Sequence, residues 1–485
     1  MLRKYFILFL PVIVSFIVFI LPTPDGLSTQ TWLYFSIFLG VVVGLIQEII
    51  PSSLIGIIGV CICVWCKVGP IGSNDPKTII SADSAISWGL SGFANSTVCL
   101  VFIAFMIGLG YQKSGLGRRI ALLLVKMLGK TTLGLGYAIA IADGVLAPFI
   151  PSNTARTGGT LYPIVSQIPP MMGSYPDKEP RKIGGYIAWV SMGATCLTSS
   201  MFLTALSSSL LAVEIATKAG VEPISWFGWF MSFLPAGIIL FLAMPFLTYI
   251  FYPPTEKGSP SATIWAKEQL EKIGPMTLKE WLMIGLAIFA LVFWIGGNTF
   301  GVHATTVALT VMIAMVLLNI ITWNDVLTNK PAWMIFLMLG SLVTLADGLK
   351  NVGFLEFIVH LVGGYLGHFN PMVATIGLII FFFFLHYFFA STTAHVTALL
   401  ALFITIAQSI NGIDIQQLTL FLMLSLGIMG ILTPYGTGPS PIWFGSGYIA
   451  AKDFWRLGFI FGVIYLVVFL VVCIPWVKYV AHIWI

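Results

Sequence analysis

The sequence predicts an all-α polytopic membrane protein, with about 11 transmembrane helices plus two re-entrant helical hairpins in two inverted repeats. Of its 485 residues, 58% are hydrophobic, and only 8% are charged, against roughly 25% in soluble domains. The mean hydropathy is +0.99, which is more apolar surface than soluble domains can hide. The long apolar runs also exclude an outer-membrane barrel, whose strands alternate apolar and polar residues.

Eleven apolar runs have about the length that a helix needs to cross the hydrocarbon core. They cover residues 5–21, 31–49, 52–67, 87–111, 186–214, 226–252, 281–297, 304–322, 332–350, 415–433 and 456–480. The first run follows two basic residues, as in a signal peptide, but it is long and no small-x-small cleavage site follows it. We therefore expect it to be retained as the first span.

Two further segments, 131–167 and 371–410, are apolar but contain a polar interruption. The interruptions are Pro151–Gly159 and Ala390–His395. Unwound backbone is tolerated at membrane depth only where it lines a cavity or is buried in protein. We expect both segments to be hairpins that enter and leave on the same side of the membrane.

The basic residues predict the orientation of the chain. With the N-terminus placed in the cytoplasm, 17 Lys and Arg side chains lie in cytoplasmic loops, five lie outside and Arg156 lies within the membrane. This bias predicts that the N-terminus lies inside and the C-terminus outside. The predicted units are an N-terminal span (1–26), a first repeat (27–252), a cytoplasmic connection (253–280) and a second repeat (281–485).

The same series of features occurs in both halves of the chain. Gly115 follows a span, an amphipathic segment comes next, and Ser152 lies 37 residues after the glycine. In the second half Gly353 has the same place, and Ser391 lies 38 residues after it. Five spans separate the hairpins, so the two copies are expected to face opposite ways. Inverted repeats with interrupted helices are typical of secondary transporters that bind substrate between the repeats.

The interruptions supply the candidate substrate-binding residues. Their hydroxyl and amide groups both donate and accept hydrogen bonds, and helix N-termini nearby would favour an anion. A second pair of interruptions follows at 198–200 and 433–440. Hydroxyls that bond back to their own helix remain the alternative. The candidates are Ser152, Asn153, Thr154, Ser199, Ser200, Ser391, Thr392, Thr393, Gly436 and Thr437.

Ser152-Asn153-Thr154, its counterpart Ser391-Thr392-Thr393 and the two downstream loops resemble the divalent anion:sodium symporter (DASS) family. The stretches Ser391–His395 and Thr433–Pro441 are more similar to its exchanger branch, the citrate, tartrate and 2-oxoglutarate/malate translocators. The resemblance implies a homodimer with scaffold domains, and a transport domain that carries both hairpins and moves as an elevator. It also implies that the hairpin tips hold the substrate carboxylates.

Arg156 and His395 occupy equivalent places, two residues beyond the last residue of each triplet. Charged side chains inside a bilayer are costly and usually functional. We expect these two residues to compensate the substrate's charge as fixed cations, in place of dissociable sodium ions. The alternatives are an ion pair of Arg156 with Asp143 or Glu214, and a neutral core histidine at position 395.

The sequence therefore predicts sodium-independent exchange of di- or tricarboxylates. 2-Oxoglutarate, malate, fumarate and succinate are the first candidates, followed by citrate and tartrate. The alternative is a sodium-coupled symporter of the same substrates. The chain lacks an H-E-x-x-H pattern or another catalytic constellation, so an enzyme is not expected. No cofactor, metal or nucleic acid is expected either: Cys61, Cys63 and Cys66 lie in an apolar segment that favours packing over metal binding.

Overall fold

The computed structural model describes residues 2–47, 49–75, 77–366 and 370–484. Over this part of the chain it is helical, apart from an isolated bridge between Thr131 and Gly258. Eight of the described helices are long and apolar enough to cross a membrane, and five shorter helices are also apolar. The all-helical polytopic class is therefore confirmed.

In the first half, the described residues form twelve α-helices and one π-helical segment, Ala155–Leu161. The α-helices are α1 (Leu2–Ile20), α2 (Thr29–Gln47), α3 (Ser52–Cys66), α4 (Ala82–Leu90), α5 (Ser96–Ser114), α6 (Leu116–Leu128), α7 (Thr132–Leu146), α8 (Tyr162–Val165), α9 (Ile168–Met171), α10 (Gly184–Met201), α11 (Ser207–Lys218) and α12 (Trp226–Phe251).

Thirteen α-helices follow. They are α13 (Pro260–Ile273), α14 (Leu278–Ile295), α15 (Gly297–Phe300), α16 (Ala304–Leu317), α17 (Trp323–Thr328), α18 (Lys330–Asn351), α19 (Phe354–Leu366), α20 (Pro371–Leu385), α21 (Thr392–Gln408), α22 (Ile415–Ile428), α23 (Pro439–Gly445), α24 (Ala451–Val468) and α25 (Ile474–Trp484). The predicted connection 253–280 thus contains a helix, α13, which packs along α6.

Corresponding elements in the two halves have matching lengths. Helices α6 and α19 have 13 residues each, and each follows a glycine in the left-handed region, Gly115 (φ 83°) or Gly353 (φ 76°). This conformation is accessible to glycine at little cost. Helices α7 and α20 have 15 residues each, and both continue into a 3₁₀ turn before the polar interruption.

Two predicted spans are divided. The span 87–111 contains the end of α4, a 3₁₀ turn and the start of α5, because Asn95 caps α5 by accepting from the amides of Thr97 and Val98. The span 186–214 is broken at 202–206, where Phe202 and Leu206 are extended. The predicted interruption at 198–200 is wrong in its position, since these residues lie in the last turn of α10.

Helix α10 forms the centre of the part that carries the hairpins. Its residues from Gly184 to Ser200 are all buried, which is the pattern of a helix surrounded by others. It packs against α7, α12 and α22, while α11 packs against α21. The predicted interruption at 433–440 runs from the segment after α22 into the first turn of α23, so the broken helix of the second half is α22–α23, as that of the first half is α10–α11. Both hairpins and both broken helices are therefore joined through α10 and α11.

Candidate functional site

The two polar interruptions form turns, here called tip 1 (residues 150–154) and tip 2 (residues 389–392). In tip 1, Ser152 Oγ accepts from the amide of Ala155, where the π-helical segment begins. Short π-helical segments are frequent at functional sites. In tip 2, Ser391 caps α21 by accepting from the amide of Thr393. Thr393 itself is half-buried.

Tip 1 contacts the broken helix of the second half. The side-chain amide of Asn153 donates to Thr437 Oγ1 at 2.8 Å, and both residues are buried. Thr154 is exposed and lies against Gly438, where a Cβ atom would overlap its hydroxyl oxygen. Glycine at 438 is therefore required for this close approach.

Tip 2 contacts the broken helices of both halves. The hydroxyl oxygens of Thr392 and Ser208 are 3.0 Å apart, and Ser208 lies in the first turn of α11. His386, in the turn before the tip, donates from Nε2 to the Gly436 carbonyl at 2.8 Å. Because Thr437 follows Gly436 directly, the segment 436–438 links tip 1 to the second hairpin.

Arg156 lies behind tip 1 and is fully buried. Its Nε donates to Asp143 at 3.1 Å, so Asp143, rather than Glu214, is its ion-pair partner. The other N–H groups donate to the carbonyls of Ile150 and Ala205 and to three hydroxyls, those of Thr195, Thr198 and Ser199. Six oxygen atoms thus surround the guanidinium, and we call them the oxygen cage.

Because Arg156 is paired with Asp143, it does not carry the uncompensated positive charge that the fixed-cation interpretation requires. The guanidinium and the Asp143 carboxylate are together neutral, and all the guanidinium donors are used inside the protein. Arg156 instead joins the start of tip 1 to the first broken helix, through the Ile150 and Ala205 carbonyls. The geometry supports a positioning role for Arg156.

His395 lies in an aromatic environment. Its ring is fully buried, with ring centroids of Phe382 at 4.3 Å, Phe389 at 5.0 Å and His386 at 5.2 Å. Neither ring nitrogen has a hydrogen-bond partner among the described residues. An imidazolium here would be an unpaired buried charge, which is strongly unfavourable. The geometry therefore favours the alternative of a neutral core histidine.

Ser199 and Ser200 do not reach the tips. Ser199 donates to the Thr195 carbonyl of its own helix and accepts from Arg156, while Ser200 accepts from the amide of Ile428 in α22. Ser199 thus follows the alternative that the sequence left open, a hydroxyl that bonds back to its own helix, whereas Ser200 links α10 to α22. Sequence analysis missed Ser208 as a site residue, although it lies in the polar run Ser207-Ser208-Ser209.

A cavity of about 90 Å³ lies beside tip 1, between Pro151, Ser152, Gln112 of α5 and Asn329 near the start of α18. A second cavity of about 280 Å³, here called the vestibule, shares Gln112 with the first. Its wall includes Gln112, Arg118, Gly159, Pro163, Gln167 and Trp265. Together the two cavities adjoin the first hairpin from its tip to its return arm.

Among the described residues, no group of three or more His, Cys, Asp or Glu side chains could hold a metal ion. Cys63 is buried, whereas Cys61 and Cys66 are exposed. The polar groups that meet at the tips are hydroxyls and amides, which can hydrogen-bond the carboxylate groups of a small anion. The two tips are therefore a candidate site for a small anion.

Comparison with known proteins adds independent information. A family model described as "Sodium:sulfate symporter transmembrane region" matches residues 2–483. A citrate/succinate antiporter from Escherichia coli (strain K12) is 43% identical over 475 residues, which are 96% of each chain. An L-tartrate/succinate antiporter from the same strain is also 43% identical, over 471 residues and again 96% of each chain.

Two solved structures share the fold. The YdaH transporter from Alcanivorax borkumensis aligns with a TM-score of 0.58 at 14% identity, over 88% of this chain and 99% of that one. MtrF from Neisseria gonorrhoeae aligns with a TM-score of 0.59 at 13% identity, over 90% of this chain and 96% of that one. At these identities the likeness concerns the fold alone.

Proposed function

This chain belongs to the sodium:sulfate symporter family, and from that premise we propose that it exchanges one di- or tricarboxylate for another across a membrane. It is a multi-pass membrane transporter and not an enzyme. The observation that carries the proposal is its 43% identity, over 96% of each chain, to antiporters of citrate, tartrate and succinate. Succinate with citrate or tartrate therefore comes first among the substrates, ahead of 2-oxoglutarate, malate and fumarate.

We propose that the substrate binds between tip 1, tip 2 and the segment 436–438, which contacts tip 1 through Thr437 and the second hairpin through His386. The side chains of Asn153, Thr392 and Thr437 are buried and pair with one another or with Ser208, and each has an N–H or O–H donor that a carboxylate could accept from. Ser152, Thr154, Ser391 and Thr393 lie on the same two turns. The tip hydroxyls and amides, and not a free cation, would then hold the carboxylates.

Sodium-independent transport is proposed from the oxygen cage. Carbonyl and hydroxyl oxygens at unwound helices are the ligands that coupling sodium ions take in secondary transporters. In this chain a covalently attached guanidinium fills such a cage, with Asp143 as its counter-charge. Because this guanidinium cannot dissociate, transport would not need a sodium gradient to fill the cage. A sodium-coupled symporter of the same substrates remains the second candidate, because the family model is that of sodium symporters.

We further propose an elevator-type movement in a homodimer, with the N-terminus in the cytoplasm. The contacts of α10 and α11 with both hairpins support a transport unit that moves as one body. The excess of basic residues in the assigned cytoplasmic loops supports the orientation. The homodimer rests on the family resemblance.

Uptake of labelled citrate and succinate by proteoliposomes tests the proposed function. We expect uptake into vesicles preloaded with a dicarboxylate and none into vesicles preloaded with a neutral sugar. Equal uptake under both conditions would indicate a uniporter or channel and would contradict exchange.

A further inference from the structure

Two adjacent arginines on α6 differ in their surroundings. Arg119 is buried, forms an ion pair with Glu280 and also donates to the carbonyls of Gly274 and Pro275. Arg118 is exposed and donates a hydrogen bond to Gln269 Oε1, a neutral acceptor. Arg119 is therefore part of the packing between α6 and the following helices, whereas the charge of Arg118 is available to a ligand.

The side chain of Arg118 forms part of the wall of the vestibule. It is the only ionisable residue among the described residues that line this cavity, so no carboxylate competes for it there. The side-chain amides of Gln112 and Gln167 lie in the same wall, and the ring of Trp265 closes another part of it. The planar guanidinium fits a carboxylate with two parallel hydrogen bonds, and amide groups supply further donors.

The vestibule is next to the proposed substrate site. Gly159 and Pro163 of its wall belong to the return arm of the first hairpin, a few residues beyond tip 1. Gln112 lines both the vestibule and the cavity beside Pro151 and Ser152. An anion held at Arg118 would therefore stand beside the hairpin that carries tip 1, on the side where most basic loop residues lie.

A larger cavity lies near the residues assigned to the opposite side. It measures about 590 Å³, and Trp226, Trp294, His303 and Gln416 contribute to its wall. Neither Lys nor Arg occurs among the described residues that line it. Arg118 therefore has no basic counterpart in the wall of this larger cavity.

We propose that the vestibule is a capture site for the carboxylate substrate, with Arg118 as its anchor. Arg118 takes one carboxylate of the substrate from solution, and the substrate then passes along the hairpin to tip 1. The proposal rests on the proposed function, because it takes the cargo to be a carboxylate. A single side chain would then set the apparent affinity on one face of the membrane only.

Transport in right-side-out and inverted membrane vesicles tests this proposal, with Arg118→Gln, Arg118→Lys and Lys126→Gln compared. Lys126 is an exposed cation on the same helix outside the vestibule, so its variant controls for net charge. In Arg118→Gln we expect the half-saturating concentration on the vestibule side to rise about tenfold, the range of one charge-assisted hydrogen bond. The maximal rate and the half-saturating concentration on the opposite side should not change.

The half-saturating concentration of Arg118→Lys should lie between those of the unchanged protein and Arg118→Gln, because lysine keeps the charge without the paired geometry. Raising the salt concentration should weaken capture in the unchanged protein and have less effect in Arg118→Gln. An unaltered half-saturating concentration in Arg118→Gln, or a rise equal to that in Lys126→Gln, would overturn the capture site alone. Absence of carboxylate exchange in the unchanged protein would instead overturn the proposed function.

Discussion

Replacement of Arg156 by methionine tests the positioning role of the oxygen cage. The substitution leaves the Asp143 carboxylate, which is 1% exposed, without its cation. Removal of one partner from a buried ion pair costs about 3–5 kcal/mol. Since 1.4 kcal/mol corresponds to a factor of ten, the ratio of native to disordered arrangements of tip 1 should fall roughly a hundredfold to several thousandfold. We expect exchange to fall by a similar factor and the melting temperature in detergent to drop.

The double variant Arg156→Met, Asp143→Leu separates stability from function. Replacing both charges by apolar groups is often nearly neutral, so most of the lost stability should return. The carbonyls of Ile150 and Ala205 would still lack their donor, and exchange should therefore stay low. A methionine variant that melts and exchanges like the unchanged protein would refute the role of the cage. Full recovery of exchange in the double variant would refute it as well.

Three further substitutions test the contacts at the tips. Asn153→Ala removes the hydrogen bond to Thr437 and should raise the half-saturating concentration about tenfold in an exchange assay, with little change in melting temperature. Gly438→Ala places a methyl group against Thr154 and should reduce maximal exchange, whereas unchanged kinetics would show that the close approach is not needed. In Ser208→Ala, succinate binding measured by thermal shift should weaken about threefold to tenfold. A succinate-induced shift equal to that of the unchanged protein would exclude Ser208 from the site.

Much of the fold could be predicted from hydropathy and spacing. The hairpins were found because polar residues interrupt apolar runs of unusual length, and Gly115 and Gly353 marked equivalent turns. The position of the first helix break could not be predicted, since the hydroxyls of Thr198 and Ser199 bond within their own helix and around Arg156. The break falls instead at 202–206, where Thr204 is the only polar residue.

The family was predicted from the two triplets and the downstream loops, and the family model and the two E. coli relatives confirm it. The charge state of the site could not be predicted. Asp143 and Glu214 were both plausible partners of Arg156, and only the hairpin geometry brings Asp143 within 3.1 Å. The aromatic surroundings of His395 come from Phe382 and Phe389, whose orientation the sequence does not specify.

The central claim is carboxylate exchange that does not depend on sodium. Its most direct test is the uptake of labelled citrate by succinate-loaded proteoliposomes, with sodium or choline as the only external cation. We predict equal uptake in the two media and none into vesicles without internal carboxylate. Accumulation that is driven by a sodium gradient into empty vesicles would contradict the account.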